Sequence, residues 1–215
     1  MNATKVRSIV ESLAEKQVTL IAVTKLHSLE EIQPLYDLGI RNFGENRVQE
    51  LMEKVAHFPG VQWHLIGHLQ RNKVKYIAPF ISCVHSIDSE ELLSEINRQA
   101  EKNARVIDGL LQVHVAQEDS KFGFPAFSFL QKIREIDFSK YPNVRIRGIM
   151  GMASMVNNSS QIKREFQQIK SFFNALKTQF SEEFDTVSMG MSGDYEWAIE
   201  EGSNMVRLGS ILFEG

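Results

Sequence analysis

At 215 residues, 43% of them hydrophobic, the chain can bury one large core and does not demand a second, so a single domain over residues 1–215 is expected. Its net charge of -3 and pI near 6.1 argue against nucleic acid as the main partner, and the short basic cluster of Arg71, Lys73 and Lys75 reads as a solvated helix face. The single cysteine, Cys83, excludes an internal disulfide, suits a reducing cytoplasm and lies in an apolar stretch, where it reads as a small core residue.

The opening segment spaces Val6, Ile9, Val10 and Leu13 along one helical face and interrupts them with Lys5, Arg7, Glu11 and Glu15. It is expected to be a helix, and neither a signal peptide nor a membrane span. Thereafter short apolar runs alternate with segments of helical period. The runs predict strands over 19–24, 42–44, 62–66, 83–86, 110–116, 145–149, 186–189 and 205–208. Between them, helices are clearest over 89–103 and 161–178, the second with Ile162, Phe166, Ile169, Phe173 and Leu176 on one stripe. Eight βα units without a linker fit an α/β fold of the closed kind, a (β/α)8 TIM barrel with an extra N-terminal helix, better than an open doubly wound sheet.

Three stretches carry chemistry in that frame. The first strand ends at Lys25 before a polar turn and a new helix at Ser28, which brings an amine to the rim where barrels keep their sites. A partly desolvated lysine there could attack a carbonyl to form a Schiff base; the competing reading is a snorkelling surface side chain. The run from Ser188 to Asp194 follows strand seven and leads into a helical stretch at Tyr195–Glu201, and Gly209 with Ser210 follows strand eight. Small residues at both loops favour backbone capture of a phosphate, against ordinary turn and N-cap chemistry at either loop alone. Period-two alternation puts Arg207 on the face of Met205, and Lys25 on the face of Val23 and Ile21. If the barrel closes, strand eight lies beside strand one and the two cations share a site; otherwise Arg207 is a rim salt bridge.

The segments Ala22-Val23-Thr24-Lys25, Phe43-Gly44-Glu45-Asn46 with Val48-Gln49-Glu50, Trp63-His64-Leu65-Ile66-Gly67, Gly148-Ile149-Met150, Ser188-Met189-Gly190-Met191-Ser192 and Val206-Arg207-Leu208-Gly209 resemble the pyridoxal phosphate homeostasis proteins, whose fold is similar to the N-terminal barrel of alanine racemase. The resemblance runs in order from Ala22 to Phe213. It implies pyridoxal 5'-phosphate (PLP) as cofactor, held as a Schiff base on Lys25, with Arg207 facing the pyridine nitrogen and Ser192, Gly209 and Ser210 on the phosphate. Asn46 and His64 are expected to line the cofactor's surroundings, the alternatives being a strand-end cap and a satisfied barrel histidine. The family binds, buffers or delivers the cofactor without established turnover, so PLP-requiring apo-enzymes are the implied partners. The absence of the racemase's second domain leads to the expectation of a monomer.

Two rivals stay open at this point. One is an amino-acid racemase using Lys25 and Tyr195 as its two bases, since Tyr195 departs from the aliphatic or methionine residue usual there. The other is an aldolase-like phosphate-binding barrel without pyridoxal. The end, Leu212-Phe213-Glu214-Gly215, also departs from the family's usual Phe-Gly and basic tail. No metal is expected, because His57, His64 and His68 straddle a loop, a strand and its exit, with no acidic or cysteine partner at ligand spacing.

Overall fold

The computed structural model describes residues 1–116 and 122–214. Its strands are β1 (Thr19–Val23), β2 (Asn42–Glu45), β3 (Gln62–Leu65), β4 (Cys83–Ile87), β5 (Ile107–His114), β6 (Val144–Met152), β7 (Thr186–Ser188) and β8 (Met205–Leu208). Each pairs in parallel with the next, and β8 pairs with β1 in the register Ile21 to Arg207, which closes a (β/α)8 barrel. A two-residue strand, Phe124–Pro125, adds to β5 alone.

Helices wrap the outside: α1 (Ala3–Glu15), α2 (Leu29–Asp37), α3 (Val48–Lys54), α4 (Val74–Ile77), α5 (Glu90–Lys102), α6 (Phe129–Glu135), α7 (Ser159–Leu176), α8 (Tyr195–Glu200) and α9 (Ser210–Phe213). Their starts are written in short polar residues. Ser28 and Glu31 form a reciprocal capping box at α2, Ser89 accepts from the Leu92 N–H at α5, and Asn158 accepts from the Gln161 N–H at α7. The α7 stripe from Ile162 to Leu176 is buried throughout, as its spacing predicts. Among the described residues no helix is long and apolar enough to cross a membrane.

The core has two shells. Strand residues pointing outward, such as Ala22, Phe43, Trp63, Leu111 and Val206, pack under the helices. Inside the barrel, Cys83, Leu110 and Met150 form a small separate cluster against which Met205 packs. Cys83 is thus a core residue, as expected.

Strands β5 and β6 run longer than the sequence pattern predicts. Asp108 and Gly109 precede the predicted strand, yet both lie in β5: Asp108 accepts from the Arg145 Nε–H at 2.7 Å, and a side chain at Gly109 would meet Ile87. In β6, Gly148 adopts φ +156°, and a Cβ there would run into the Thr186 carbonyl. A register shift beside it, from the pair Gly109–Ile146 to the pair Leu110–Gly148, is the bulge that lets β7 approach.

Candidate functional site

The C-terminal ends of the strands surround a cavity of about 780 Å³ whose lining includes Lys25, Asn46, Ser192, Arg207, Gly209 and Ser210. Six of the seven residues singled out in the sequence therefore meet in one place. The seventh, His64, does not line it. His64 lies deeper in the barrel with its Nδ1 2.9 Å from His85 Nε2, and is the satisfied histidine of the alternative reading on one edge only, because its Nε2 is buried without a partner among the described residues.

Lys25 is exposed on the cavity wall, as in the surface alternative and not as a desolvated amine. The chain around it is held tightly. Thr24, just before it, donates its N–H to the Gly44 carbonyl at 3.0 Å and its hydroxyl to Glu45 Oε1 at 2.6 Å. Lys54, from α3, donates to both the Thr24 carbonyl at 2.8 Å and Glu45 Oε1 at 2.7 Å. Burial pushes the Glu45 carboxyl up, and the Lys54 and Thr24 contacts pull it back. After Lys25, Leu26 takes the left-handed region at φ 65°, a conformation costing about 1–2 kcal/mol for such a residue, and its N–H donates to Glu50 Oε2 at 2.9 Å. Glu45, Glu50 and Lys54 thus clamp the turn that presents Lys25. Sequence reasoning gave them no role, although Glu45 and Glu50 lie inside a quoted motif.

Beside it, where the loops after β7 and β8 meet, Gly209 N–H and Ile211 N–H both donate to the Ser192 hydroxyl, at 3.2 and 3.5 Å. Two backbone donors converging on one oxygen form the kind of nest that takes an oxyanion. The loop bearing Ser192 is fixed by Asp194, which accepts from the Met191 N–H at 2.6 Å. Burial pushes the Asp194 carboxyl up, against that N–H and the Arg207 charge.

Arg207 is 4% exposed and lies on the floor of the cavity. It donates to Ser188 Oγ at 2.7 Å and to the Gly151 carbonyl at 3.0 Å. Burial lowers its pKa to about 10, partly offset by Asp194, so it stays cationic at neutral pH. The two registers expected from alternation hold: Lys25 lines the cavity with Val23, and Arg207 lies inward of β8 with Met205 below it.

Tyr195 is not among the lining residues. It packs against the outer core, and its hydroxyl reaches Glu196 Oε1 at 3.4 Å. At the rim, His68 stacks on Phe122 with centroids 3.9 Å apart, and His27 stacks on Phe213 at 3.5 Å. The latter gives the atypical end of the chain a defined contact; Gly215 lies outside the described residues.

The histidines that lie close in sequence are not the ones that meet in the fold. The barrel separates His57 and His68 from His64 and instead brings His64, Cys83 and His85 together, with one potential ligand atom from each within 4.8 Å of the others. The facing histidine nitrogens are spent on each other, and burial pushes the Cys83 thiol up, toward its neutral form.

A family model described as the alanine racemase N-terminal domain matches residues 2–215. A pyridoxal phosphate homeostasis protein of Aquifex aeolicus is 35% identical over 201 residues, covering 93% of this chain and 87% of that protein. The structure of PipY from Synechococcus elongatus PCC7942 with PLP bound is similar at a TM-score of 0.88 and 32% identity, covering 98% of this chain and 99% of that one. Without PLP the same protein superposes at a TM-score of 0.90 with 32% identity, over 99% of this chain and 100% of the other.

Proposed function

Because the chain belongs to the pyridoxal phosphate homeostasis proteins of the alanine racemase N-terminal-domain family, we propose that it binds PLP in the 780 Å³ cavity and buffers it or delivers it to enzymes that need it. The observation that carries this reading is one cavity shared by the Lys25 amine, the buried Arg207 cation and Ser192, on whose hydroxyl the Gly209 and Ile211 N–H groups converge. PLP supplies an aldehyde that condenses with an amine with loss of water, a phosphate and a pyridine nitrogen.

The residues of the chain fit each part. Lys25 has no hydrogen-bonding partner among the described residues, and its neutral amine is the nucleophile. Ser192, Gly209 and Ser210 hold the phosphate: the donors now turned to the Ser192 hydroxyl are of the kind a phosphate oxygen accepts from. Arg207 donates to the ring nitrogen and, being a cation with protons only to share, leaves it unprotonated and a weak electron sink. Asn46 lines the remaining wall.

A carrier is favoured over a racemase by two features. An unprotonated ring is a weaker electron sink and disfavours broad carbanion chemistry, and the Tyr195 hydroxyl lies outside the cavity, where it cannot serve as an opposite-face base. An aldolase without pyridoxal leaves the buried Arg207 without a role in the site.

Borohydride reduction of the protein with PLP, followed by peptide mass mapping, tests the reading. The label is expected on Lys25, and Lys25→Ala is expected to lose the reducible adduct while keeping weakened cofactor binding through the phosphate contacts, each contributing about 1.5–3 kcal/mol. A label on another lysine rejects the assignment, and no label with no binding rejects PLP.

A further inference from the structure

Behind the cavity floor, four buried polar side chains from four strands form a continuous chain across the barrel: Arg207 on β8, Ser188 on β7, His85 on β4 and His64 on β3. Ser188 and His85 are fully buried and serve no part of the reading above. Their contacts have a direction. A guanidinium only donates, so Ser188 Oγ accepts from Arg207 at 2.7 Å. The Ser188 hydroxyl proton then needs an acceptor, and His85 Nδ1 stands 3.3 Å away. With Nδ1 accepting, neutral His85 carries its proton on Nε2 and donates it to His64 Nδ1 at 2.9 Å. His64 in turn carries its proton on Nε2, the end of this chain of four, which is buried without a partner among the described residues, as are Glu45 Oε2 and Trp63 Nε1 elsewhere. The reverse polarity leaves a second buried group unsatisfied, the Ser188 hydroxyl proton, and is disfavoured for that reason.

The chain therefore begins at the cation that borders the cavity. Arg207 is gripped at two points, by Ser188 Oγ and by the Gly151 carbonyl, and has no carboxylate partner in hydrogen-bonding distance among the described residues. Its other N–H groups are free for an occupant. How those groups are aimed depends on where Ser188 Oγ sits, and the His85 acceptor fixes the rotation of that hydroxyl.

We propose that Ser188 and His85 are positioning residues: together they aim the Arg207 guanidinium at the ring nitrogen of the bound cofactor and so make the site select a ring whose nitrogen is a bare acceptor. This rests on the placement of Arg207 opposite the ring nitrogen in the proposed function. Burial holds both histidines neutral, with His64 lowered to about 4 and His85 well below its ordinary range, which keeps the donation one-way at neutral pH.

The test compares two ligands that differ only at the ring: PLP and its carbocyclic analogue, with C–H in place of the ring nitrogen. Equilibrium binding of each is measured to the wild-type protein, Ser188→Ala, Ser188→Thr and His85→Phe, with circular dichroism and thermal melting to establish that each variant is folded. The wild type is expected to prefer PLP by about tenfold or more, the range of a hydrogen bond to a charged donor. Ser188→Ala and His85→Phe should each shrink that preference to about threefold or less while the affinity for the analogue changes by under about twofold, and Ser188→Thr should restore it.

Affinities for both ligands falling by the same factor would mean a merely structural role and overturn the proposal. So would a preference that survives in both Ser188→Ala and His85→Phe. A wild type that binds both ligands equally would instead reject the placement of Arg207 opposite the ring nitrogen, and a wild type that binds neither would reject the cofactor itself.

Discussion

Lys25 owes its position to an ion pair that has no contact with the cavity. Glu45 is fully buried and Lys54 is 6% exposed, and both reach the Thr24 backbone or side chain one residue before the amine. Breaking such a pair from one side strands a charge in a dry place, so Lys54→Met is expected to lower stability by about 3–5 kcal/mol, with Glu45→Gln added in the same chain recovering much of the loss. Urea denaturation of the single and double variants checks this; equal losses in both would mean that the charge pairing is not what holds the turn. Lys25 and Arg207 were legible in the sequence because period two assigns a face to every strand residue. Lys54 was not, because a lysine four residues after a glutamate on a short helix has the same pattern whether it faces water or the barrel.

Loops rather than strands decide where an anion can sit, and the loop after β7 depends on Gly190. It adopts φ +97°, and a Cβ there would stand 2.6 Å from the Ala198 Cβ and 2.9 Å from the Tyr195 Cα. Gly190→Ala should therefore push α8 away from the Ser192 loop, costing about 1–3 kcal/mol and weakening cofactor binding at the phosphate end, while saturating PLP still labels Lys25 on reduction. Calorimetric melting with a PLP titration reads both effects, and unchanged affinity would show that α8 can move without disturbing the nest. The same property of glycine explains where the strand boundaries went astray. Gly109 and Gly151 fall outside the predicted strands, but each lies in one where a neighbour, Ile87 or Ile169, occupies the room a side chain would need. A sequence shows that a side chain is missing and not what fills its place. His85, and the chain it completes between His64 and Ser188, escaped for a related reason: only barrel closure brings β3 and β4 opposite β7 and β8.

For the molecule as a whole, the buried histidines tie stability to acidity. Burial holds His64 at about 4, below its unfolded value near 6.5, and pushes His85 well below its ordinary range with help from His64 and Arg207. Between these values the unfolded chain takes up protons that the folded chain refuses, so stability is lost as pH falls from about 6.5 to about 4, by up to about 1.4 kcal/mol per pH unit for each histidine. Glu45 and Asp194, whose carboxyls burial pushes up, act in the opposite sense at acid pH. Urea midpoints at pH 7, 6 and 5, values chosen to span the histidine range, should decline less steeply in His85→Phe than in the wild type. An equally steep decline would place the acid sensitivity elsewhere.

The pairing of β1 with β8 joins Thr19 to Met205 and Ile21 to Arg207, segments from near the two ends of the sequence. Contacts this distant along the chain form late in folding, because the entropy of closing so long a loop must be met before they return anything. The cavity consequently does not exist in a partly folded chain: Lys25 is synthesised early, and its counterpart Arg207 arrives only with the last strand. A ligand spanning the two would act as a clasp on the barrel's final seam, binding only finished molecules and slowing their reopening.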